Sequence, residues 1–419
     1  MLKCCLFLVN NSNGGNEFMN KNERRINRDA FTNEMKLLLL CSVKDPSPAQ
    51  QEEIESIIIE GIDWGLFLQI VKKHRIYTLV FHNLAKIKSV DIDKRALSAL
   101  QQMNQQKVLQ SVKLTAELVS LARLMNDHGI RVLSLKGPLL ARNIYGDVSF
   151  RFSKDLDILV SEQDIERTGQ LLLANGYEST GLEVNLSPKQ KAHAIKTQHH
   201  FVYKKPGGII VELHWRRYQF SVSQFNRLWL KRREQVLSGQ IINVLSAEDE
   251  FIYLLIHGSI HGYARLRWLC DIAEIMKKDE LPWQEIIAQA NEMDIMQVLV
   301  QAAILCDCLL NTRIPELLKV PTASNKLGQR MAAMAIPIII ETDEMSSSLN
   351  MHLRRYTLLR SKGVKAKLKY FLALFNPQLI DYEAIGFSDR YYFMYYLTRP
   401  FYKIQRIMKK NSERSTVVV

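Results

Sequence analysis

Six cysteines stand in 419 residues, and no two of them form a CxxC pair. They are Cys4, Cys5, Cys41, Cys270, Cys306 and Cys308. Cys306 and Cys308 are two apart, and no second cysteine–histidine pair stands at zinc spacing. This argues against a zinc module and a disulfide scaffold, and a reduced, cytoplasmic protein fits. No apolar run approaches the ~20 residues needed to span a bilayer. The apolar stretch at residues 4 to 9 falls below the ~7–15 residues of a signal-peptide core. No low-complexity tract or solenoid period is visible. What is present is ordinary for a soluble globular chain: 47% hydrophobic and 24% charged residues. The length exceeds one compact core, so two or three domains are expected.

Charge is unevenly spread. The chain is +13, and residues 351 to 419 carry 14 Lys or Arg against four acids, an excess of ten. LRRYTLLRSKGVKAKLKYFLALF is basic and amphipathic, and DRYYFMYYLTRPFYKIQRIMKK interleaves aromatics with basic residues. Such a pattern suits phosphate backbones with stacking bases. It also suits an anionic membrane surface. Equally, the aromatics could be helix-packing core and the lysines a solvated face.

The densest chemical information lies at residues 135–160, LKGPLLARNIYGDVSFRFSKDLDILV. Lys136-Gly137 follows a short apolar run, and Arg151 and the pair Asp155 and Asp157 come after. Strand side chains alternate, so Asp155 and Asp157 share a face while Leu156, Ile158 and Val160 point the other way. Two close carboxylates repel unless a cation sits between them. Mg²⁺ suits such a site, with Mn²⁺ as the alternative. A later segment, HHFVYKKPGGIIVELHW, reads as two strands around a Pro-Gly-Gly turn. Ile210, Glu212 and His214 share one face of the second strand, and Val211, Leu213 and Trp215 the other. If this strand lies beside the Asp155 strand, Glu212 completes a three-carboxylate cluster able to hold two metals for phosphoryl or nucleotidyl displacement.

Arg151 could pair with Asp147 or Asp155, or its planar fork could hold a phosphate, the favoured reading. Lys136, between an apolar strand and Gly137, also suits phosphate. His214 could bind an acceptor, orient Glu212 or pack. His257 and His261 stand at i, i+4, but the glutamate of an HExxH site and a third ligand are missing. They are expected to pack and hydrogen-bond where their helix meets the catalytic region, or to face the acceptor.

The expected fold class is α+β: a small mixed-sheet core flanked by N-terminal and C-terminal helical regions. Residues 1–27 read as a flexible extension or start artefact, with Met19 the more natural beginning. Residues 28–128 repeat apolar positions at three and four and read as helical, ending at Gly129. Residues 129–245 form the core: a strand at 131–135, a short helix at 139–145, the DLDILV strand, a helix closing on Asn175-Gly176, the Pro-Gly-Gly hairpin, and an added edge strand near 241–246. Residues 246–345 return to helix, opening with a capping box at Ser246 and Asp249. Residues 346–419 are the basic, aromatic-rich region.

The order LKG, short helix, Arg, DxD and a later strand acid resembles the nucleotidyltransferase superfamily related to DNA polymerase beta. Within it, the LKG…Y…R…DLDILV block, VELHW, HGSIH and RWLCDIAEI resemble a bacterial family of uncharacterised nucleotidyltransferases, over roughly residues 36 to 403. The superfamily's usual Gly-Gly or Gly-Ser is Lys136-Gly137 here, as in that closer family. This leaves open whether backbone N–H groups or the lysine cradles phosphate. The resemblance implies an enzyme that moves a nucleoside monophosphate from a nucleoside triphosphate such as ATP to an acceptor, releasing pyrophosphate. Asp155, Asp157 and Glu212 would be the metal-binding, catalytic acids. Lys136, Gly137 and Arg151 would hold the nucleotide, with His214, His257, His261 and Asp271 near the acceptor. Two rival readings stand beside it. One is a toxin-like transferase acting on tRNA, which the basic tail favours. The other is a degenerate transferase fold used for binding, which the intact acids oppose.

Overall fold

The computed structural model describes residues 19–20, 25–26, 30–179, 186–216, 224–278, 281–341, 347–360, 368, 371–372 and 375–415. The expectations for residues 1–18, and for Lys365, Lys367 and Lys369 in the basic stretch, lie outside the described residues. Two compact units make up the chain: Met1–Leu156 with Asn226–Arg360, and Asp157–Phe225 with Ser361–Val419.

Nine strands are described: β1 (Met19–Asn20), β2 (Arg25–Ile26), β3 (Val132–Ser134), β4 (Leu156–Val160), β5 (Glu178–Ser179), β6 (His200–Lys205), β7 (Ile209–His214), β8 (Arg233–Leu237) and β9 (Gln240–Val244). The first two pair with each other, and the other seven form a mixed sheet. With a majority of helix around it, the fold is α+β, as the sequence pattern implies.

The first unit opens with helices whose starts are written in the sequence. Ser47 caps Pro48–Glu60 with a full capping box, and Asp93 caps the long helix Lys94–Asp127 through the Ala96 N–H. That helix gives way at Gly129, which takes a left-handed φ of 65°. In this unit β3 pairs parallel with β9, and β9 antiparallel with β8. The expected edge strand near 241–246 is therefore interior to this part of the sheet, and β8 is its outer neighbour. The reason is local. Arg233, Glu234 and Gln235 make β8 look polar. The hairpin is closed by Ser238 and Gly239, both at positive φ (49° and 78°), the geometry of a type I′ turn.

Ser246 caps Ala247–Ile260 by accepting from the Asp249 N–H. This helix and Leu266–Met276, Met296–Leu310 and Lys326–Ile340 bury apolar faces. A buried polar knot ties in the helix Ser347–Arg360: the Ser259 and Tyr356 hydroxyls lie 2.8 Å apart, and each donates to Gln301 Oε1, at 3.1 and 2.9 Å. Gly258, inside HGSIH, has a packing reason to be glycine. A Cβ there would lie 2.2 Å from the fully buried ring of Tyr263. Gly258→Ala is expected to cost about 1–3 kcal/mol by overpacking, read by urea denaturation. The substitution should be relieved in a Tyr263→Leu background, and an unchanged midpoint in the single variant would show that the ring yields freely.

In the second unit β7 lies between β4 and β6, and β5 flanks β6. The hairpin turns through Gly207 and Gly208 at φ 92° and 88°. Its register sets His200 opposite His214 and Val202 opposite Glu212. Val211, Leu213 and Trp215 are buried, as alternation requires. Tyr382, Tyr392 and Tyr395 form a core cluster with Leu186, Leu379, Ile385, Phe387 and Tyr396 packed against it. Part of the aromatic tail is therefore helix-packing core. Leu397, Phe401, Ile404 and Met408 on the helix Met394–Ser415 are exposed. Among the described residues no helix is long and apolar enough to cross a membrane, and no disulfide is present.

Candidate active site

In the second unit, β4 and β7 lie side by side, which is the condition for Glu212 to join an acid of the DLD step. Asp157 is 2% exposed. His214 Nε2 stands 3.2 Å from Asp157 Oδ1 and 3.3 Å from Glu212 Oε2. One imidazole nitrogen thus bridges two carboxylates. Burial alone would lower the His214 pKa, but the hydrogen bonds and charges of Asp157 and Glu212 raise it above the usual histidine value. Burial would likewise raise the Glu212 carboxyl, but the hydrogen bond from His214 outweighs it and the group sits below the ordinary glutamate value. The His214 ring, held between two carboxylates, occupies the place a cation would take.

The donor atoms support that comparison. His200, Glu212 and His214 each offer a ligand atom, all within 4.8 Å of one another. His200 reaches the group because the hairpin register sets it across from His214, with ring centroids 5.0 Å apart. Sequence reasoning passed over His200. The His199-His200 pair at the start of its strand was the available signal. The residues fit a divalent metal. Carboxylates alone favour Mg²⁺, whereas imidazole beside carboxylate also accommodates Mn²⁺ or Zn²⁺.

In the first unit, β3 runs into Lys136 and Gly137. Gly137 takes φ 100°, a region L side chains avoid, and its N-cap position opens the helix Pro138–Tyr145. A Cβ there would also meet Leu156 Cδ2 at 3.4 Å. Lys136 is buried, its ammonium 5.6 Å from the centre of the Tyr253 ring. Asp155 is half-buried just before β4.

Arg151 makes an ion pair that the motif alone did not suggest. Its Nε donates to Asp271 Oδ2 at 2.8 Å and its Nη1 to Ser153 Oγ at 3.0 Å. The other oxygen of Asp271 accepts from the Tyr145 hydroxyl at 3.1 Å. All three side chains are buried. Burial first, then the Asp271 carboxylate, pushes the Tyr145 phenol well up. Arg267, also missed from sequence, donates through Nη1 to the Phe152 carbonyl at 2.9 Å. This secures the segment ahead of Asp155 to the helix Leu266–Met276. Its signal was the RLRW run that opens this helix.

His257 and His261 do share a face, with ring centroids 5.0 Å apart. They form an aromatic group with Trp268, which stacks on His261 at 5.0 Å and 18°. Among the described residues no metal-binding group includes either histidine. His261 keeps an exposed edge. Packing of its ring, then Lys136, Arg265, Arg267 and Arg360, pull its pKa down to about 4. The folded value lies below the unfolded one, so the unfolded chain binds the proton more readily between them. Stability from this residue is full above the ordinary histidine range and is lost as pH falls from about 6.5 towards 4. Melting temperature should drop less between pH 7 and pH 5 in His261→Gln than in the unmodified protein. Parallel pH profiles would refute this.

Residues 60–311 match the family of uncharacterised nucleotidyltransferases. The match takes in more than half of the chain and every residue of both groups above, and the chain belongs to this family. Among solved structures, it is similar to an antigenic nucleotidyltransferase-like protein from Paracoccidioides brasiliensis, at 17% identity over 48% of this chain and 93% of that one, with a TM-score of 0.28. A likeness that low carries no argument. No curated protein matches.

Proposed function

We propose that this protein is a divalent-metal-dependent nucleotidyltransferase. It moves a nucleoside monophosphate from a nucleoside triphosphate to an acceptor hydroxyl or phosphate and releases pyrophosphate. The observation that carries this reading is the buried Asp157 and half-buried Glu212 meeting at one nitrogen of His214 in a member of a nucleotidyltransferase family. Asp155, two residues before Asp157 and just ahead of β4, is assigned to the same metal site as the first acid of the DLD step.

When bound, the metal supplies neutralisation of the triphosphate and acidification of the attacking hydroxyl. Asp155, Asp157 and Glu212 would hold it, with His214 orienting the two acids it touches. Glu212, ionised at neutral pH, accepts the acceptor's proton at a carboxylate oxygen. The acceptor oxygen bonds to the α-phosphorus as the bond to the β-phosphate oxygen breaks, and the electron pair leaves with pyrophosphate. Lys136 and the Gly137 N–H neutralise and position the phosphates. No covalent enzyme intermediate is needed. For Arg151 the role we favour is support: its ion pair with Asp271 holds the chain leading into Asp155.

The test is incubation with α-labelled and, separately, γ-labelled nucleoside triphosphates plus Mg²⁺ or Mn²⁺, alongside fractionated extract that includes tRNA. Label should enter a product from the α position only, with pyrophosphate released in equal amount. Transfer of the γ label would instead mean a kinase. A product confined to the tRNA fraction would identify tRNA as the acceptor.

A further inference from the structure

The first unit holds a group of cations that the proposed chemistry leaves mostly unused. Its centre is the stacked pair His261 and Trp268. Trp268 is 5% exposed and also meets His257 edge-on at 5.4 Å. The guanidinium carbons of Arg265 and Arg267 each lie 5.8 Å from the centre of the Trp268 ring. Lys136 and Arg360 join them in acting on His261, and together these four positive charges pull its pKa down. Arg360 is held in place by the fold. It follows Tyr356 by one helical turn, and Tyr356 is locked to Ser259 and Gln301. Gly262 admits that helix closely, because a Cβ there would stand 3.4 Å from Leu353 Cδ2 and 3.6 Å from Tyr356 Cδ1.

Four cations around one pair of rings repel each other. Such crowding is costly unless something negative offsets it. Asp271 and Asp155 offset Arg267 in part, but burial and Arg151 outweigh them, and Asp271 is already hydrogen-bonded to Arg151 and Tyr145. Donors are also left over. Arg267 Nε, Arg360 Nε and Trp268 Nε1 are buried without a hydrogen-bond acceptor among the described residues. Buried donors rarely stay unmade. Forked guanidinium groups match the oxygens of a tetrahedral oxyanion.

We propose that Lys136, Arg265, Arg267 and Arg360, arranged around His261 and Trp268, form a binding site for a phosphate group. The residues other than Lys136 have no part in the metal chemistry above, so the site stands or falls separately. The phosphate has two possible sources, the donor triphosphate or a phosphate carried by the acceptor.

Inorganic phosphate and pyrophosphate are the probes, titrated calorimetrically into the full-length protein in EDTA, so that no metal site contributes. Binding is expected, and Arg265→Gln and Arg360→Gln are each expected to weaken it by roughly tenfold or more, the scale of a charge-assisted hydrogen bond. Arg360→Lys should recover only part, since it restores charge without the fork. Melting curves establish that each variant is folded, and a misfolded one is replaced by its lysine counterpart. The His261 imidazole is an internal reporter: an anion among the cations should lift its pKa from about 4. The titration is repeated with Mg²⁺ and saturating nucleoside triphosphate. Competition assigns the site to the donor triphosphate, and persistence assigns it to a phosphorylated acceptor; either supports the site. No binding of phosphate or pyrophosphate to the unmodified protein overturns it, as does equal binding by the glutamine variants. Loss of label transfer in Asp157→Asn with phosphate binding intact would leave the two proposals independent.

Discussion

Asp157→Asn is expected to remove nucleotidyl transfer by a factor on the order of 10²–10³ or more, the scale of losing one preorganised electrostatic contact at a reacting centre, while the chain still folds. The side chain is 2% exposed and its Oδ1 faces His214 Nε2 at 3.2 Å. Asparagine keeps the shape and one acceptor oxygen but not the charge that a divalent ion requires. His214 still has Glu212 at 3.3 Å, so its ring keeps a carboxylate partner. Thermal melts in EDTA should therefore be close to those of the unmodified protein. Melts with Mg²⁺ or Mn²⁺ plus nucleotide should lose the ligand-induced rise. A variant that keeps that rise would remove Asp157 from the metal site.

Arg151→Met should instead unfold the protein more readily, by about 3–5 kcal/mol, because it leaves the Asp271 carboxylate buried without its cation. Set against a typical total of about 5–15 kcal/mol, that is a large share. Both partners are nearly inaccessible, and only the Tyr145 hydroxyl and the more distant Arg267 charge remain to compensate among the described residues. The double variant Arg151→Met with Asp271→Leu should regain much of the loss, since replacing both members of a buried pair by apolar groups is often nearly neutral. Urea denaturation of the two variants decides. If Arg151→Met keeps its stability and loses only affinity for nucleoside triphosphate, Arg151 serves the ligand and not the fold.

Much of this architecture was legible before any coordinates. The capping residue Ser246 announces its helix because a cap is a contact within three residues. The Pro-Gly-Gly hairpin and the inward set Val211, Leu213 and Trp215 follow from period-two alternation. Strand β8 escaped notice because its residues are mostly polar and its pairing is decided by the Ser238-Gly239 turn.

Sequence established the kinds of groups available: the acids of DLD and VEL, the Lys-Gly loop, the two histidines of HGSIH. These depend on residue identity and on spacing within one element. Tertiary structure alone decided their partners. Arg151 finds Asp271 across 120 positions, which no local periodicity encodes. His200 meets His214 only because a six-residue ladder holds one register, and a slip of one residue would turn it to the other face. Lys136, Arg265, Arg267 and Arg360 come from three separate stretches of the chain, and only tertiary packing gathers four like charges around one tryptophan and one histidine.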